Sequence, residues 1–82
     1  MTDFNKWLDT FVEEKGVDLE FAFEVEGDSG LNIIPVGCII EFIKDEADEA
    51  TKKFVKDNLV KIDFMNGDVM HFFNHCAKAI AF

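Results

Sequence analysis

Residues 17–26, V-D-L-E-F-A-F-E-V-E, alternate without a break. Val17, Leu19, Phe21, Phe23 and Val25 fall on one parity; Asp18, Glu20, Ala22, Glu24 and Glu26 fall on the other. A strand sends successive side chains to opposite faces, so the pattern predicts one apolar and one anionic face. Residues 59–65, L-V-K-I-D-F-M, alternate again, with Val60, Ile62 and Phe64 on one side. They read as a second strand and the natural partner of the first.

Helical spacing governs most of the rest. Phe4, Trp7, Leu8, Phe11 and Val12 define one arc over residues 3–15, with Asn5, Lys6, Asp9, Thr10, Glu13 and Glu14 opposite. Thr2 or Asp3 suits the N-cap and Gly16 the left-handed end. Gly27-Asp28-Ser29-Gly30 reads as a turn. Leu31 to Ile34 then form either a short hairpin arm or an extended lead-in to the next helix. Pro35 suits a first helical position. Residues 36–44 read as a nearly buried helix whose only polar or small positions are Gly37, Glu41 and Lys44. Asp45 is the expected cap of a third helix at 46–57, with acids in its first turn and lysines later. Asn66-Gly67 fits a tight turn, into a strand at 68–71 or a helix at 68–81. The helix is preferred, because Val69, Phe72, Phe73, Cys76 and Ile80 share an arc to the chain's end.

The predicted architecture is a single α+β domain over residues 1–82. It holds a two- or three-stranded antiparallel sheet with about four helices on its apolar face. Ten phenylalanines supply the core, each worth roughly 1.5–3 kcal/mol if fully buried. At 49 % hydrophobic residues, so short a chain can carry more apolar surface than it hides, which favours homodimerisation. Ile80 and Phe82 are the candidate dimer surface, the competing reading being that they pack in the home core.

Charge narrows the partners. The net charge is −9, and residues 1–30 hold nine acids against two lysines. There is no arginine. Direct nucleic-acid binding and attraction to anionic membranes are therefore not expected, and a charged partner should be basic. No charged-then-apolar leader opens the chain and no apolar run reaches ~18 residues, so neither a signal peptide nor a membrane span is expected. Cys38 and Cys76 form no C-x-x-C motif and read as reduced, buried thiols of a cytoplasmic protein.

Candidate chemistry is sparse. Asp68, His71 and His75 lie at i, i+3 and i+7, a spacing that can bring two imidazoles and a carboxylate to one metal. The plain alternative is an N-cap and two exposed histidines. No phosphate-binding glycine loop, nucleophile elbow or cysteine–base pair is present, so neither an enzyme nor a cofactor is expected. The anionic parity of the first strand, joined by Asp9, Glu13, Glu14 and Asp28, offers a row of carboxylates about 7 Å apart to a basic partner. Ordinary solvation of a one-sided sheet explains the same acids. The preferred reading is a small non-enzymatic acidic protein-interaction module, able to pair as a homodimer. The first alternative is an acidic inhibitor, of phage or mobile-element type, that mimics nucleic acid toward a basic nucleic-acid-binding protein. The second is a metal-binding regulatory protein.

Overall fold

The computed structural model describes residues 2–81. Helix α1 spans Thr2–Glu14 and buries Leu8, Phe11 and Val12. It ends as the sequence suggests. Gly16 takes φ 63°, its amide donates to the Glu13 carbonyl, and the Val17 amide donates to Val12. These bonds satisfy carbonyls that a helix end leaves open.

The chain does not become a strand at once. Asp18 accepts the Glu20 amide on Oδ1 at 3.0 Å and the Phe21 amide on its carbonyl at 3.3 Å. A short polar side chain that bonds its own backbone competes with a sheet ladder, and here residues 17–21 form a turn. The predicted strand at 17–26 is therefore halved. Strand β1 is Ala22–Gly27 and pairs antiparallel with β2, Gly30–Pro35. Asp28 and Ser29 form the two-residue connection, and Gly30 has φ 113°. The hairpin-arm reading of Leu31 to Ile34 is the one adopted.

Helix α2, Val36–Glu46, starts where β2 ends. Pro35 is its N-cap rather than its first residue, and no side chain caps it. The Val36 amide instead donates to Phe21 (2.8 Å) and the Gly37 amide to Leu19 (3.0 Å), so the preceding turn also seats this helix. Val36, Ile39, Ile40 and Ile43 are buried, whereas Cys38, Glu41 and Phe42 are exposed. The helix is one-sided, not nearly buried, and Cys38 is not a core thiol.

Helix α3 is Glu49–Phe64. Its cap is Asp48, not Asp45, and the Asp48 carboxylate accepts the Thr51 amide at 2.8 Å. The strand predicted at 59–65 does not form: α3 continues through it, with Val55 and Leu59 buried, Ile62 half-buried, and Val60 and Phe64 exposed. The helix closes at Asn66 (φ 56°), with the Asn66 amide donating to Asp63 and Gly67 to Ile62. Asn66-Gly67 is thus a helix terminus rather than a hairpin turn. Helix α4, Val69–Ala81, follows, its first turn capped by Asp68, which accepts the Met70 amide at 2.9 Å.

The sheet among the described residues has two strands. Helix α4 packs on β1 and α2 packs on β2 and α4, while α3 packs on α4 and α1. Helices α4 and α2 make the principal helix contacts with the sheet, and α3 bridges α4 to α1. Phe73, Leu8, Ile39, Leu59 and Val36 are the largest fully buried side chains. Lys52 of α3 is buried, its Nζ 5.7 Å from the Phe4 ring centroid and 3.4 Å from Asn5 Oδ1; Lys56 Nζ lies 5.4 Å from the Trp7 ring. Both ammonium groups sit over aromatic rings of α1 and tie α3 to it. No described helix is long and apolar enough to cross a membrane.

Candidate functional site

The hairpin register decides which side chains share a face. Glu24 pairs with Ile33 and Glu26 with Leu31, whereas Phe23 pairs with Ile34 and Val25 with Asn32. Val25 is buried and Phe23, Asn32 and Ile34 are half-buried, so this is the inner face. Glu24, Glu26, Leu31 and Ile33 form the outer face, and all four are exposed. Leu31 and Ile33 retain 59 % and 66 % of their accessible surface, although aliphatic side chains ordinarily sit inside. Neither glutamate has an ion pair or a hydrogen-bonded partner among the described residues. Directly opposed Cβ atoms lie roughly 4.5–5.5 Å apart, so each carboxylate stands beside an aliphatic neighbour.

The other carboxylates expected in one anionic row are dispersed. Asp28 is exposed in the hairpin turn. Asp18 and Glu20 belong to the turn before β1, where Asp18 lines a cavity of about 550 Å³ with Lys15, Phe21, Phe23, Asp68 and His71. Asp9, Glu13 and Glu14 lie on α1. Asp9 is engaged by Lys44 of α2 at 2.9 Å, and Glu41 stands 3.6 Å from the same ammonium. The hydrogen bond to Asp9 holds the Lys44 pKa above its usual value, against the opposing effect of burial. Of the eight predicted positions, only Glu24 and Glu26 share one strand face.

The histidine stripe does not close on a site. His71 lines the cavity beside Asp18, whereas His75 lines a separate groove with Phe54 and Cys76. No group of three or more His, Cys, Asp or Glu side chains among the described residues is arranged to hold a metal. Cys76 is half-buried, and desolvation pushes its thiol up to about 11, so it stays protonated near neutrality. Ile80 is half-buried and lines the same groove as His75; Phe82, its partner in the expected dimer surface, lies outside the described residues.

Leu31 and Ile33 are the residues missed by a reading centred on acids. Their signal is present: a two-residue Asp28–Ser29 connection fixes the register, which then sets Leu31 and Ile33 on the same side as Glu24 and Glu26. No family model matches the chain, and no curated protein or solved structure does so either.

Proposed function

We propose that this chain is a small, non-enzymatic, acidic protein-interaction module that presents the outer face of its hairpin to a cationic and partly apolar protein surface. The observation that carries the reading is the cross-strand alternation Glu24–Ile33 and Glu26–Leu31, with every member exposed and both carboxylates without an ion-pair partner among the described residues. Aliphatic burial supplies affinity, and the carboxylates select and steer a basic partner. A heterologous partner is favoured over a second copy, because two chains of net charge −9 repel and would bring glutamates toward glutamates. The nucleic-acid-mimicking alternative is the weaker, since it calls for a long continuous anionic row and the carboxylates lie in separate elements.

The test is capture of interacting proteins from a lysate by the wild type and by two double variants, Glu24→Lys/Glu26→Lys and Leu31→Ser/Ile33→Ser. Basic proteins held by the wild type at low salt, and released both by salt and by either variant, support the reading. Capture indifferent to both variants overturns it.

A further inference from the structure

A second surface shares no residue with the hairpin. It is an apolar groove of about 400 Å³ bounded by α2, α3 and α4. Buried Ile43, Val55 and Phe72 line its interior, and Phe42 and Phe54 flank it with 46 % and 57 % of their surfaces exposed. The Phe54 ring stands 6.4 Å from Phe72, so the exposed aromatic continues the core outward. A groove of this size lies within the range of pockets that accept large apolar groups.

We propose that this groove docks a cationic amphipathic helix of a partner protein, which seats a large apolar side chain between Phe42 and Phe54. Charge selects that occupant. Glu46 and Asp48 line the groove and no lysine does. Of the described lysines around it, Lys44 is engaged by Asp9 and Glu41, Lys53 by Asp57, and Lys52 and Lys56 lie over Phe4 and Trp7. Lys78 is exposed on α4 outside the lining, and His75 is the one basic side chain among the described residues that line the groove. A second copy, itself at −9, is repelled by this rim, whereas a basic helix is drawn to it. The groove offers helix side chains and no free strand edge, so a helix with apolar residues at i, i+3, i+4 and i+7 fits it, and a strand finds no ladder to join.

The experiment uses a synthetic lysine-rich amphipathic peptide with leucines along one helical face, and the same peptide with glutamate in place of each lysine. Titration into the isotopically labelled full chain is followed by methyl and aromatic NMR. The lysine peptide is expected to shift Ile43, Val55 and Ile80, with affinity falling as salt rises. Phe42→Ser/Phe54→Ser should weaken binding by at least about tenfold, as expected for central aromatic anchors. Spectra of the unliganded variant report whether it stays folded; if it does not, the wild-type shift map decides. Absence of shifts at millimolar peptide, shifts confined to Leu31 and Ile33, equal binding of the glutamate peptide, or self-association of the protein through the groove would each overturn the proposal. Because the two surfaces share no residue, failure here leaves the hairpin variants to be judged separately.

Discussion

Glu24 stands directly across the hairpin from Ile33, and both side chains face solvent. The pair breaks the usual division of a one-sided sheet, in which exposed positions are polar. The same arrangement recurs one step along at Glu26 and Leu31. Since neither position packs into the core, substitutions there should leave the fold intact while changing what it binds. Thermal melts of Leu31→Ser/Ile33→Ser are expected to match the wild type within about 0.5 kcal/mol. A large loss would mean that these side chains support the hairpin itself.

The Asp48 carboxylate is a second point of leverage. The Thr51 amide hydrogen bond lowers its pKa below the ordinary carboxylate value. The folded state therefore releases this proton more readily than the unfolded chain. The resulting stability is present above the ordinary carboxylate range and is lost as pH falls through the lowered folded value. Asp48→Ala should lower the melting temperature by a few degrees at neutral pH and flatten the acid limb of the stability profile. Asp48→Asn should restore the neutral-pH melting temperature, since asparagine also caps, but not the acid dependence. Identical acid profiles for wild type and Asp48→Asn would contradict this assignment.

The end of α3 tests the largest departure from the sequence reading. A methyl group at position 67 would lie 2.8 Å from Ile62 Cγ2 and 3.2 Å from the Ile62 carbonyl oxygen. The side chain at 62 is β-branched and stiff, and the oxygen is backbone, so neither yields easily. Gly67→Ala is expected to destabilise by about 1–3 kcal/mol, and Asn66→Val by about 1–2 kcal/mol because φ 56° excludes a branched side chain. Leu59→Ala should cost about 2–5 kcal/mol. Urea unfolding measures all three. A tolerated Gly67→Ala would contradict the close approach of residue 67 to Ile62.

Much of this fold is legible in the sequence, and the misreadings have physical causes. The arcs on α1 and α4 are long enough to exclude other periods, and residues from both arcs form the core. The run at 59–65 is too short to separate a strand from a helix by alternation alone. Val55, Leu59 and Ile62 carry the helical arc inward, and the alternating Val60 and Phe64 lie outside it. Residues 17–21 mislead for a different reason. Their alternation is intact, yet Asp18 bonds the local backbone and turns the chain. At the site, Glu24 and Glu26 are readable from alternation, whereas their aliphatic neighbours follow only once the turn Gly27–Gly30 is narrowed to a two-residue Asp28–Ser29 connection that sets the register.

Thiol chemistry distinguishes the two cysteines. Cys38 is exposed on α2, whereas Cys76 is half-buried with its thiol pushed up to about 11. A disulfide reagent near neutral pH should modify one thiol rapidly and the other slowly, and Cys38→Ser should remove the fast phase. Two fast equivalents would contradict the placement of Cys76.

A basic partner on the hairpin's outer face, as proposed, has a direct signature in capture experiments. The most direct measurement compares lysate capture by the wild type, Glu24→Lys/Glu26→Lys, and the control Asp57→Asn on α3, each at low and high salt. Basic proteins are expected on the wild type and the control at low salt and depleted at high salt, and those held by the hairpin are expected to be missing from the double variant, whose groove is unchanged. An unchanged set of captured proteins on the double variant, or undiminished capture by the wild type at high salt, would contradict a basic partner at the hairpin.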